Sequence, residues 1–171
     1  QRDVRARRSK HAALELLHQM HDYNRELATP VPDEAITSLE TLLADVRRVA
    51  KPGSAVFVIS DFHDFDTRCE QQLFELARHT DVTLMHVYDP LERELSSNHF
   101  LTVSDGEERL QLPAQDPAFR QAYRREFETQ LQALTESSRR LALPLLSYAT
   151  DDDIHTLLRE RFGARRHRAR G

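Results

Sequence analysis

The chain has 171 residues, of which 39% are hydrophobic and 30% charged, with 4 glycines, no tryptophan and a formal net charge of −4. That balance excludes a disordered chain and describes a soluble, helix-rich globular protein with one real core. No apolar run approaches the roughly 20 residues of a membrane span, no signal peptide is visible, and the single Cys69 excludes a disulfide framework. A reducing, cytoplasmic setting is expected.

The charge is unevenly spread. Arg2, Arg5, Arg7, Arg8 and Lys10 make a basic start, and Arg165, Arg166, Arg168 and Arg170 a basic tail over 163–171, around an acidic body. Such tails can bind nucleic acid or acidic lipid. Only Phe162 offers an aromatic platform beside them, so solvated tails are expected and nucleic acid is not. The abrupt basic opening without Met points to a processed chain or a fragment.

In chain order, Ala13, Leu16, Leu17, Met20 and Leu27 predict a helix from Ser9, its possible N-cap, to Leu27. His11, His18 and His21 fall close to one face, but no carboxylate or Cys completes a ligand set, so they read as flanking histidines. Thr29-Pro-Val-Pro32 breaks the chain. Asp33 and Glu34 then open a second helix with the stripe Ile36, Leu39, Leu42, Leu43, Val46 and Val49, stopped by Pro52-Gly53. Ser54 to Ile59 is a short continuous apolar run, which predicts a strand buried on both faces of a parallel sheet.

Thr67-Arg-Cys-Glu70 has the capping-box pattern, with Asp66 as a competing cap, and a helix follows through Ala77. Val82–Tyr88 is a second strand, and the strand–helix–strand spacing predicts a parallel pair. An insertion at about 98–112 reads as a β-hairpin around Asp105-Gly106, with Leu101 opposite Leu110. Asp116-Pro117 starts a long helix bearing Phe119, Tyr123, Phe127, Leu131 and Leu134, ending near Ala142. Pro144–Ala149 is a third strand, and Thr150 or Asp151 caps a last helix that ends before Gly163. The expected organisation is one domain over 1–162 carrying the hairpin, then the tail.

All three strands run into carboxylates: Asp61, Asp89 and Asp151 to Asp153. In an open α/β sheet the carboxyl ends of the strands face the ligand crevice. Oxygen ligands there would suit Mg²⁺, although Asp at a strand end also caps the following helix. Asp61 is the foremost site candidate, with Phe62, His63 and Asp64 as a partner-binding rim and Asp66 as a helix cap. Ser60-Asp-Phe-His63 also resembles the Asp-x-His of calcineurin-like metallophosphoesterases. The Gly-Asp and Gly-Asn-His segments that complete their two-metal clamp are absent. A metal-dependent phosphoesterase using Asp61 and His63 is therefore the alternative function.

Lys51-Pro-Gly-Ser-Ala-Val-Phe-Val-Ile-Ser-Asp-Phe62 and the stretch Leu76 to Glu92 resemble the bacterial family called domain of unknown function fifty-eight. The likeness continues in order through Leu101–Gly106, Phe119–Leu134, Pro144-Leu-Leu and Thr150-Asp-Asp. The resemblance implies a von Willebrand A-like (Rossmann-like) three-layer α/β fold with a parallel sheet, here truncated at its N-terminus. It implies a non-enzymatic adaptor working with a MoxR-type AAA+ ATPase in assembly or maturation of client proteins. The fold's Mg²⁺ site uses an Asp-x-Ser-x-Ser loop, a Thr and an Asp after the fourth strand. Asp61 stands where that last Asp belongs, Thr29 and Thr37 are the candidate threonines, and no Asp-x-Ser-x-Ser occurs. A weak or absent Mg²⁺ site is expected.

Overall fold

A computed structural model describes residues 10–26, 37–95, 101–104 and 109–163. The elements are α1 (Lys10–Glu26), α2 (Leu39–Val49), β1 (Ala55–Ser60), α3 (Thr67–Ala77), β2 (Asp81–Tyr88) and α4 (Pro90–Arg93). They continue as β3 (Leu101–Ser104), β4 (Arg109–Leu112), α5 (Pro117–Arg140), β5 (Leu145–Ala149) and α6 (Ile154–Phe162). The chain divides into two compact units, Gln1–Ile36 with Val103–Leu110, and Thr37–Thr102 with Gln111–Gly171.

The smaller unit contains α1, on which His11, His18 and His21 are exposed and Leu16, Leu17 and Met20 stay open to solvent. The possible cap Ser9, the end at Leu27, Thr29, and the turn Asp105-Gly106 lie outside the described residues, as does the tail beyond Gly163. β3 and β4 pair as a two-stranded sheet, as the alternation of their sequence predicts.

The larger unit is built on a parallel sheet in the order β1-β2-β5. Val58 lies beside Leu84 and Leu84 beside Leu145, so these three share one face. That face meets Leu39 and Leu43 of α2, Leu73 and Leu76 of α3, and Leu134 of α5 in one core cluster. Leu43, Leu73 and Leu84 are 1%, 0% and 0% exposed, and each such burial contributes about 1.5–3 kcal/mol. Glu70 ties α3 to α5: it accepts two hydrogen bonds from Arg140 and one from Ser137 Oγ at 3.0 Å. Those bonds, Arg140's first, hold its carboxyl below the ordinary value. Cys69 is sealed in the core, where burial pushes its thiol up to about 11 and leaves it unreactive.

Three expectations are corrected. Among the described residues β1 is an edge strand, and it is not buried on both faces: Phe57 and Ile59 are 50% and 63% exposed. Their face is met by α6, whose Phe162 ring stands edge-on to Phe57 at 5.7 Å. The strand enclosed on both faces is the central β2, with Leu84, Met85 and His86 all buried. α2 begins at Leu39 instead of Asp33, because Ser38 is extended and its hydroxyl caps Thr41 N. Asp66 is the N-cap of α3, as expected, accepting from Arg68 and Cys69 N at 2.9 Å. α6 is capped by Asp153 instead of Thr150 or Asp151.

Candidate functional site

β1 ends at Ser60 and α3 starts at Thr67, leaving a six-residue loop with three aspartates. Helix N-termini leave backbone N–H groups without intrahelical partners, and two of the aspartates supply them. Asp66 caps α3. Asp64 accepts from Leu39 N at 2.8 Å and so pins the loop to the start of α2. Asp61 remains, in a small turn where its Oδ1 accepts from Ser60 Oγ and from His63 N, each at 3.2 Å. Its Oδ2 has no hydrogen-bond partner among the described residues.

The turn is completed by Phe62, whose φ of 54° is left-handed. That region is rare for a bulky side chain and costs roughly 1–2 kcal/mol. The burial of its ring, 4% exposed, offsets the cost. Phe62 packs edge-on against Phe65 and lies 6.3 Å from the His86 ring. This anchor holds the turn while Asp61 and His63 stay exposed on either side of it.

Above the loop, at the carboxyl ends of β1 and β2, is a cavity of about 300 Å³. Asp61, Phe62, His63 and His86 line it from the sheet side, Glu92 from α4, and Tyr123, Glu126, Phe127, Gln130, Leu131 and Leu134 from α5. The α5 stripe seen in the sequence is thus the cavity's wall. Burial, with Glu92 and Asp89 nearby, raises the Tyr123 phenol above its ordinary value and keeps it a hydroxyl donor.

His86 is the residue that sequence reasoning missed. It sits on the core face between Ser60 of β1 and Ser147 of β5 in register. The ring is 5% exposed, stacked on Tyr88 at 5.3 Å and flanked by Phe127 at 6.0 Å. Its Nδ1 is 2.8 Å from Ser147 Oγ, while Nε2 has no hydrogen-bond partner among the described residues. Burial lowers its pKa, and the charge of Asp61 opposes that shift. The signal was available: a buried polar residue is more telling than an exposed apolar one, and His86 interrupts an otherwise apolar strand near its carboxyl end.

Of the other predicted carboxylates, Asp89, Asp152 and Asp153 are engaged elsewhere, while Asp151 is exposed and has no hydrogen-bond partner among the described residues. Asp89 forms a capping box with Glu92 at the start of α4. Asp152 accepts from Ala149 N at 2.8 Å, and Asp153 from Thr156 N and Oγ1. Thr37 is exposed just ahead of the Ser38 cap. Among the described residues no three His, Cys, Asp or Glu side chains come together as a metal ion would require. The donors around Asp61 among the described residues do not by themselves make up a divalent-metal ligand set. No helix among the described residues is long and apolar enough to cross a membrane.

The model of a family described as "Protein of unknown function DUF58" matches residues 6–133. That span includes every cavity-lining residue except Leu134, and it stops short of β5. No curated protein and no solved structure matches the chain.

Proposed function

The chain belongs to the DUF58 family, and from that premise we propose that it is a non-enzymatic protein-interaction module whose partner engages the crevice at the carboxyl ends of β1 and β2. The observation that carries this reading is the cavity itself, with Asp61 held at its mouth by the Ser60–His63 turn. It is a shaped, acidic, solvent-open recess lined by Asp61, Glu92 and Glu126. The partner is a MoxR-type AAA+ ATPase, with which the module acts in assembly or maturation of client proteins. Phe62 supplies the rigid base of the contact and His63 its exposed rim; Asp64 acts indirectly, through its bond to Leu39.

Affinity measurements between the purified chain and the MoxR-type ATPase from the same source test the proposal. Asp61→Ala should weaken binding about tenfold, equivalent to about 1.4 kcal/mol, with the fold intact by circular dichroism. Unchanged binding would remove the crevice from the contact. Hydrolysis of an aryl phosphate with Mn²⁺ that disappears in His63→Ala would instead establish an enzyme.

A further inference from the structure

The cavity is rich in hydrogen-bond acceptors and contains no Lys or Arg. Asp61, Glu92 and Glu126 surround it, and Glu126 has no hydrogen-bond or ion-pair partner among the described residues. Carboxylates alone would not define a ligand, because exposed acidic groups are ordinarily satisfied by water. The second observation is His86, 95% buried at the wall, with Nδ1 held by Ser147 and Nε2 left without a protein partner. When Nδ1 donates to Ser147 Oγ, Nε2 presents a lone pair. Phe62, Tyr123 and Phe127 add aromatic surface to the lining, and Leu131 and Leu134 aliphatic surface.

From this combination we infer that the cavity receives an arginine side chain of the partner protein, its guanidinium lying among Asp61, Glu126 and His86 Nε2 against the aromatic walls. The inference rests on the interaction-module reading of the same crevice and names what enters it. A guanidinium carries five N–H donors and no acceptor, in a flat fork that stacks on aromatic faces. A lysine ammonium is a compact, strongly hydrated point charge that would use fewer of the dispersed acceptors. An acidic side chain would face three carboxylates. The volume, about 300 Å³, lies at the small end of ligand clefts and suits one side-chain head. Arg93 does not compete for the space, because it is engaged over the Tyr88 ring and with its hydroxyl.

The test is an NMR titration of the full 171-residue chain with the peptide acetyl-Gly-Arg-Gly-amide. Its counterparts carry citrulline, lysine or glutamate in place of arginine. The arginine peptide should shift the His86 ring Nε2 and Phe127 resonances saturably in the millimolar range. The citrulline peptide, nearly isosteric but uncharged, should bind at least about tenfold more weakly. Glu126→Gln, at an exposed position on α5 that keeps the fold, should weaken the arginine peptide several-fold and leave the citrulline peptide unchanged. Equal response to arginine and citrulline, equal affinity for lysine, preference for glutamate, or no shift at His86 would each overturn the inference. With an inert arginine peptide but ATPase binding still sensitive to Asp61→Ala, the occupant is wrong and the module reading stands. If ATPase binding is also insensitive, the module reading fails with it.

Discussion

The outer strands β1 and β5 both deliver the chain to a group of aspartates at the same edge of the sheet, and the two ends behave differently. After β5, α6 begins five residues beyond Ala149, and the short link leaves its carboxylates close to unpaired backbone donors. Asp152 folds back onto Ala149 N and Asp153 caps α6. After β1, Asp66 and Asp64 are used in the same way, on α3 and on α2. Each end leaves one aspartate over, Asp151 after β5 and Asp61 after β1, and of these Asp61 is the one kept beside the cavity, by Phe62 in its left-handed turn. An aspartate after a strand thus serves the backbone first; one left over becomes a ligand candidate when, like Asp61 and unlike Asp151, it lines a cavity.

The comparison breaks most readily at Phe62. Phe62→Ala should cost about 3 kcal/mol in urea denaturation, because a nearly fully buried ring is removed. A loss under 1 kcal/mol would mean that the ring is not the anchor of the turn. At the β5 end, Asp152→Ala should cost about 1 kcal/mol by removing the partner of a part-buried N–H, whereas Asp61→Asn should stay within about 0.5 kcal/mol. Equal costs would erase the distinction between a structural and a free carboxylate.

A second left-handed residue sharpens the same contrast. Ala142, also at φ 54°, ends α5 just ahead of β5, and its side chain is exposed. Ala142→Gly should stabilise the fold by about 1 kcal/mol, since it relieves backbone strain that no burial offsets. The subtlest effect is on His86. Burial lowers its pKa and Asp61 opposes the shift, so Asp61→Asn should lower it further while Asp152→Asn leaves it in place, as followed by NMR. A folded pKa below the unfolded one means that His86 supports stability above the unfolded value, and that this support is lost as pH falls through the folded value. An unmoved His86 titration in Asp61→Asn would show that the two groups do not sense each other.

Much of this arrangement is written locally in the chain. A continuous apolar run marked β1, runs rich in strand formers marked β2 and β5, Asp116-Pro117 marked the start of α5, and Tyr123 to Leu134 marked the helix face that lines the cavity. What escaped depends on partners distant in sequence. An apolar run such as Val56–Ile59 reads the same at the edge of a sheet as at its centre, and among the described residues β1 pairs with β2 alone, with Phe57 and Ile59 left half open. Asp64 finds Leu39 across 25 positions and His86 finds Ser147 across 61. Caps also escaped where several candidates crowd one helix start, as with Thr150, Asp151 and Asp153, because the backbone's exit angle selects among them.

The most direct measurement compares the two strand ends in one binding assay, with the MoxR-type ATPase as ligand and matched charge-removing variants. Asp61→Asn combined with Glu126→Gln should weaken binding by more than about tenfold, while Asp151→Asn combined with Asp152→Asn, which removes the same formal charge, should change it by less than about twofold. Equal weakening by the two pairs would reduce the effect to net charge, and weakening by the β5 pair alone would place the contact at the other end of the sheet.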